Sequence, residues 1–64
     1  MAQTNDETAD DLAWGVDEIA AVIGREKHAT YHLLSKQELP ARKVGGRWVA
    51  SRRRLRAFLR GEEA

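Results

Sequence analysis

Apolar residues in the first third of the chain recur at the spacing of a short amphipathic helix. They stand at i, i+3, i+4 and i+7, namely Val16, Ile19, Ala20 and Ile23. This spacing places all four on one face of a helix, which can then pack against a core. We predict Gly15 as the N-cap of this helix and Gly24 as its end, because glycine serves in both positions.

A second short helix is predicted directly after Gly24, from Arg25 or Glu26 to Lys36. Four residues form its inward stripe: Thr30, Leu33, Leu34 and Gln37. Two short helices joined by a tight turn that contains glycine are typical of a helix-turn-helix unit.

The second half of the chain predicts a β-hairpin followed by a third helix. Pro40 ends the helical pattern, and residues 41–50 form two short strands around a pair of glycines. Ser51 is the predicted N-cap of the third helix and Gly61 its end. The apolar stripe of this helix consists of Leu55, Phe58 and Leu59.

The register of the hairpin follows from the face that it must bury. A two-residue loop would set Lys43 opposite Trp48 and mix charged with apolar side chains. A three-residue loop pairs Val44 with Trp48 instead and keeps apolar positions together. We therefore predict the three-residue loop, with Arg47 at the tip of the hairpin and Trp48 in the core.

Length and composition indicate one small domain. The chain has 64 residues, 42% of them apolar, and no cysteine. The absence of cysteine excludes disulfides and cysteine-based zinc modules, and a cytoplasmic, nucleoid-associated location is expected. No apolar run is long enough to cross a membrane, and the acidic start is unlike a signal peptide. We assign residues 1–12 to a disordered acidic tail, residues 13–60 to the folded domain and residues 61–64 to a short acidic end.

The net charge of +1 hides a strong separation of charges. Residues 1–18 hold six acidic side chains and no basic one, whereas residues 25–60 hold all eleven Lys and Arg residues. Only Glu26 and Glu38 oppose these cations, so this segment carries a charge of +9. Such a block is typical of a protein that binds a polyanion, most often nucleic acid.

The outward face of the second helix is the first candidate site. Its side chains are cations and hydrogen-bonding groups of the kind that contact base edges and phosphates in a major groove. His28 and His32 also have the i, i+4 spacing of metal ligands, but no third ligand accompanies them, so we predict no metal site. The candidate residues are Arg25, Lys27, His28, Tyr31, His32, Ser35 and Lys36.

Two further sets of basic residues lie in the hairpin and at the start of the third helix. The hairpin set consists of Arg42, Lys43, Gly45, Gly46 and Arg47, and it suits a minor groove because glycine permits close approach. The arginine cluster consists of Arg52, Arg53, Arg54 and Arg56. Its charges oppose the helix dipole, which favours a phosphate bound at this helix end. Solvated surface charge is the alternative interpretation of every basic set.

The order of elements, α-α-β-β-α, predicts a mainly α fold with a small β-hairpin wing. The segment from Trp14 to Leu59 resembles the winged helix-turn-helix domain of the excisionase family and of the DNA-binding heads of MerR-type regulators. The resemblance rests on the segments Val16-Asp17-Glu18-Ile19-Ala20, Ile23-Gly24, Tyr31-His32-Leu33-Leu34, Glu38-Leu39-Pro40-Ala41-Arg42-Lys43-Val44-Gly45-Gly46-Arg47-Trp48 and Leu55-Arg56-Ala57-Phe58-Leu59. It implies a second helix in the major groove and a hairpin wing on the adjacent backbone or minor groove.

The resemblance implies a function as an excisionase-type recombination directionality factor that binds repeated sites in double-stranded DNA, bends them and works with a site-specific integrase. Head-to-tail self-association on DNA would supply cooperativity. Since the chain ends five residues after Leu59, we expect no effector domain and no small-molecule effector. A small transcriptional regulator that acts by promoter occupancy is the alternative, and a protein-interaction adaptor is a third interpretation. No catalytic constellation is visible, so neither an enzyme nor a cofactor is expected.

Overall fold

Residues 11–61 are described by this computed structural model, and they form three helices and a three-stranded antiparallel sheet. In chain order the elements are β1 (Leu12–Trp14), α1 (Gly15–Ile23), α2 (Lys27–Ser35), β2 (Ala41–Val44), β3 (Arg47–Ser51) and α3 (Arg52–Leu59). The fold is therefore mixed α/β. It contains the three predicted helices and the predicted hairpin. It also contains a third strand, β1, which the sequence does not predict. Within residues 11–61 no helix is long and apolar enough to cross a membrane.

The additional strand, β1, pairs with β3 and makes β3 the central strand of the sheet. Leu12 lies opposite Ser51 and Trp14 opposite Val49, and the strand order is β1-β3-β2. The predicted disordered tail is therefore too long by two residues, because Leu12 belongs to β1 and Asp11 hydrogen-bonds to Ser51. The remainder of that tail, residues 1–10, and residues 62–64 lie outside the described residues. A strand of three residues is too short to reveal an alternating pattern.

The N-cap of α1 differs from the predicted residue, whereas the residue that ends the helix is the predicted one. Trp14, in extended conformation, is the N-cap, and Gly15 is the first helical residue, so the prediction for Gly15 is wrong. Gly24 ends the helix in the left-handed conformation with a φ of 72°. Its N–H donates to the carbonyl oxygen of Ala20 at 2.9 Å, which satisfies one of the last carbonyls of the helix.

The helix α2 is shorter than predicted at both ends. Its N-cap is Glu26, so Arg25 lies before the helix, and Lys36 is its C-cap. Thr30 and Leu34 of the predicted inward stripe are fully buried. Gln37 is exposed and has a φ of 58°, because the chain has already left the helix there, so its place in the inward stripe is wrong.

The register of the hairpin contradicts the predicted three-residue loop. Val44 pairs with Arg47, so only Gly45 and Gly46 lie between the strands. Both glycines have positive φ, 59° and 83°. A type I′ turn requires positive φ at both central residues, and its twist matches that of the strands it joins. Arg47 is consequently the first residue of β3 and does not form the tip.

This register is compatible with the core because of the side chain of Lys43. Trp48 lies opposite Lys43, and the Lys43 ammonium lies 5.5 Å from the centroid of the indole ring. The methylene stem of a lysine can cover apolar surface while its charge stays in water. Trp48 packs against the core as predicted, whereas Val44 points to the other face and is 44% exposed.

The core lies between the helices and one face of the sheet. Its buried members are Ala13, Ile19, Leu34, Leu39, Ala50 and Leu55. Of the stripe predicted for α3, Leu55 alone is buried, while Phe58 and Leu59 remain 39% and 52% exposed. These two side chains therefore lie beyond the edge of the core. Gly61 follows α3 with a φ of 78°, as expected for a residue that ends a helix.

Candidate nucleic-acid interface

The outward face of α2 is exposed, as its sequence predicts. The side chains of His28, Tyr31, His32 and Ser35 are all in solvent. On the opposite side Thr30 is fully buried, and its hydroxyl donates to the carbonyl oxygen of Glu26 at 2.9 Å. The polar group that α2 turns inward is thus satisfied next to the helix start, and its other polar side chains are exposed.

Three rings lie side by side on this face. The Nε2 atoms of His28 and His32 are 3.1 Å apart, and the two ring centroids are 4.5 Å apart in an edge-to-face arrangement. The ring of Tyr31 lies 6.0 Å from that of His32. The predicted residues therefore form one connected ridge. Among the described residues no group of three or more His, Cys, Asp or Glu side chains is arranged to hold a metal ion.

Cations stand at both ends of α2. Arg25 and Lys27 lie at its start and Lys36 at its end, all three exposed. Lys27 Nζ lies 3.5 Å from Asp17 Oδ1, but both side chains are about three-quarters exposed, at 70% and 76%. An ion pair so accessible to water is weak and easily exchanged for another anion.

The hairpin set is divided between the two faces of the sheet. Arg42 and Arg47 lie on the face opposite to Trp48, while Lys43 covers the Trp48 ring. The Arg47 guanidinium lies 5.9 Å from the centroid of Trp14, a cation–π contact. Gly45 and Gly46 form the tip, where a Cβ would meet no atom within 4 Å, so the tip is open to a partner.

The absence of a side chain at Gly15 makes room for Arg47. A Cβ built at Gly15 would lie 3.1 Å from Nη2 of Arg47, and Gly15 has a φ of 90°. The guanidinium of Arg47, a hairpin residue, thus lies against the start of α1. Arg47 is consequently partly engaged within the fold and is not the free cation at a hairpin tip that the sequence predicts.

The start of α3 is occupied by a carboxylate of the chain itself. The Ser51 hydroxyl and the backbone N–H of Arg53 both donate to Asp11, the latter at 3.0 Å. The hydrogen bond from Ser51 is the main reason why the pKa of Asp11 lies below its usual 3.8. The N–H of Arg53 and the charges of Arg53 and Arg52 lower the pKa further, and desolvation opposes them. Ser51 also accepts from the N–H of Arg54 at 3.2 Å, which confirms it as the N-cap.

Arg52 ties three elements together. Its Nη1 donates to the carbonyl oxygen of Leu12 at 2.8 Å, and its Nη2 lies 3.5 Å from Glu18 Oε1. The same carboxylate oxygen accepts the backbone N–H of Trp14 at 2.9 Å. Arg52 therefore joins α3 to β1 and α1.

Asp11 occupies part of the position that the sequence predicts for a phosphate at the start of α3. Asp11 accepts from the N–H of Arg53, where a phosphate was expected, and Arg52 is half-buried. Arg53, Arg54 and Arg56 remain exposed. Several arginines in a first helical turn favour a nearby anion, and Asp11 is such an anion. The anion lies 42 positions away along the chain, inside the segment predicted to be a tail.

Apart from Arg52, every Lys and Arg side chain in the chain is exposed. Residues 11–61 contain all eleven of these cations and five acidic residues, a net charge of +6. We compared the chain with known protein families, with characterised proteins and with solved structures, and no match was found in any of the three.

Proposed function

We propose that this protein binds double-stranded DNA, with α2 in the major groove and the hairpin against the neighbouring backbone or minor groove. The observation that carries the proposal is the exposure of ten of the eleven Lys and Arg side chains on a domain of 51 described residues. Burying one cation costs several kcal/mol in principle, so exposure alone is ordinary. Exposure of so many cations with few acids among them creates a positive field that attracts a polyanion.

The dimensions and chemistry of α2 support its role as the reading element. An α-helix is about 10–12 Å across with its side chains, and the major groove is about 12 Å wide, so α2 fits the groove. Imidazole, phenol and hydroxyl groups supply both donors and acceptors, so the ridge of His28, Tyr31 and His32 can distinguish base edges. Lys27 and Lys36 at the two ends suit the phosphates on either side of the groove.

The hairpin supports a second contact. Its tip carries no side chains, and Arg42 and Lys43 flank it at exposed positions. A thin tip can approach the backbone or a narrow minor groove, where arginine is favoured by the enhanced negative potential.

The finer role that we propose is that of an excisionase-type recombination directionality factor, and its support is the resemblance of residues 14–59 to that family. A module of this size buries about 600–1,000 Å² on DNA, so tight binding needs neighbouring protomers on repeated sites. An excision assay with a cognate integrase, with and without this protein, separates this role from promoter occupancy by a transcriptional regulator. Excision that does not depend on the protein would refute the directionality role and leave DNA binding itself standing.

Variant binding tests the assignment of α2 and the hairpin. Arg42→Ala and Lys36→Ala should weaken binding to all duplexes alike and reduce the slope of log K against log salt by about one unit each, as lost phosphate contacts do. His28→Ala and Tyr31→Ala should instead change the preference among duplex sequences. Fluorescence anisotropy on a panel of duplexes at several salt concentrations measures both effects. If all four variants lost the same affinity on every duplex, α2 would not be a reading helix.

A further inference from the structure

An apolar strip runs along the side of the domain formed by α2 and the end of α3. Two shallow grooves meet there, and Leu33 and Leu59 form walls of both. The strip extends from Ile23 past these two residues to Phe58, Leu39 and Pro40. Phe58 and Leu59, the most prominent of its side chains, are 39% and 52% exposed.

Contiguous exposed apolar surface of this kind marks an interaction site more often than scattered apolar residues do. The parts of this chain outside the described residues lack the side chains to cover it. Residues 1–10 contain a single large apolar residue, Met1, and residues 62–64 contain none. A partner that covers the strip must therefore be sought outside these two segments.

The two ends of the strip carry opposite charges. Arg25, directly before α2, lines the groove at one end, and Glu38, after α2, lines the groove at the other. Both side chains are exposed, and neither forms an ion pair with another described residue. A strip with one positive and one negative end is complementary to a copy of itself turned end to end.

We propose that the apolar strip is the interface of a symmetric dimer of this protein. A two-fold axis through the middle of the strip, near Leu33 and Leu59, sets Arg25 of each protomer against Glu38 of the other. The apolar side chains of both copies are then buried together, and two ion pairs close the ends. This proposal goes beyond DNA binding and does not depend on it, because it concerns the protein free in solution.

Sedimentation equilibrium of the full chain over a range of concentrations tests the proposal. We expect a reversible equilibrium between the 7.2 kDa monomer and a species of twice that mass. Leu59→Lys should weaken the dimer at least tenfold, since it places a charge in a buried apolar contact. Val44→Lys is the matched control, because Val44 is similarly exposed, at 44%, but belongs to the hairpin. It should leave the dimer unchanged.

Charge reversal tests the pairing of the two ends. Arg25→Glu and Glu38→Arg should each weaken the dimer about tenfold or more, because each sets like charges together at both ends. An equimolar mixture of these two variants should recover dimer formation, since both ends of the mixed dimer then carry opposite charges. The double variant R25E/E38R should recover it too. Circular dichroism checks that every variant is folded.

Three results would overturn the proposal. The first is a wild-type protein that stays monomeric at millimolar concentration. The second is a dimer that neither charge reversal weakens, or that mixing the two variants does not restore. The third is growth beyond the dimer into longer chains, which indicates head-to-tail contacts in place of a two-fold axis.

Discussion

The carboxylate of Asp11 caps the first turn of α3, where three arginines follow one another. It accepts hydrogen bonds from the Ser51 hydroxyl and the Arg53 backbone N–H, and it lies 42 positions before Arg53. The arginines oppose the helix dipole, and this single acidic residue offsets them at the helix end. Asp11, the first described residue, therefore contributes to the stability of α3, the last helix.

Replacing Asp11 by Asn should lower the free energy of unfolding by about 0.3–1 kcal/mol, because it removes a negative charge beside the N-terminus of α3. The pKa of Asp11 is lowered in the folded protein. The contribution of its charge is thus fully present above its usual pKa of 3.8 and disappears as the pH falls through the lower folded value. Thermal unfolding from pH 7 to pH 2 measures this contribution.

Asp17→Asn is the control for Asp11→Asn, because Asp17 is exposed and forms only a surface ion pair with Lys27. The difference in stability between wild type and D11N should shrink below about pH 4, while D17N stays close to wild type throughout. Equal losses in the two variants at pH 7 would show that Asp11 does not act as a cap.

Among the secondary-structure elements, the hairpin is the one whose register the apolar and polar pattern predicts wrongly. The predicted register avoided a lysine opposite Trp48, yet the structure has Lys43 there. The pattern treats lysine as polar throughout, whereas its methylene stem packs on an indole ring. The turn chemistry of Gly45 and Gly46 was the stronger signal, because two adjacent glycines are suited to the two left-handed positions of a type I′ turn.

Substitutions at Gly45 and Gly46 test the observed two-residue turn. Gly46→Ala should cost about 1–2 kcal/mol, since alanine is strained at a φ of 83°. The melting temperature should fall by about 4–8 °C for each kcal/mol lost. Gly45→Asn should be nearly neutral, because Asn-Gly is a favoured type I′ pair. A harmless Gly46→Ala would contradict the observed turn, in which Gly46 has a positive φ.

The helices follow more directly from the sequence than the sheet does. The buried faces of α1 and α2 and the glycine that ends α1 were predictable, because a helix spreads its apolar pattern over several local positions. β1 was not predictable, since its three residues take their place from pairing with β3, about 37 positions away. The same holds for Arg52, whose partners Leu12 and Glu18 become neighbours only through the fold.

At the scale of the whole molecule, the charge is distributed very unevenly. Residues 11–61 carry a net charge of +6, whereas the complete chain carries +1. The remaining acidic residues are Asp6, Glu7, Asp10, Glu62 and Glu63. Three of these, Asp6, Glu7 and Asp10, lie within five positions before Asp11, which is bonded to the start of the arginine cluster. They therefore add three negative charges to the sequence just before the residue that bonds to this cluster.

Neutralising those three residues should raise the affinity for DNA. The variant D6N/E7Q/D10N keeps Asp11 and changes the net charge from +1 to +4. We expect several-fold tighter binding at low salt and a smaller gain at high salt, where the charges are screened. E62Q/E63Q is the control, since it removes two acidic charges at the other end of the chain. An affinity that follows net charge alone in both variants would assign no special role to the charges before Asp11.

We propose that the exposed cations of this domain bind the phosphates of double-stranded DNA. The most direct test is the dissociation constant of the full chain for a short duplex, measured by fluorescence anisotropy across a series of salt concentrations. With about 6–8 phosphates neutralised, the plot of log association constant against log salt should have a slope of about −5 to −7. A slope near zero, or no binding at the lowest salt, would contradict binding of these cations to phosphate.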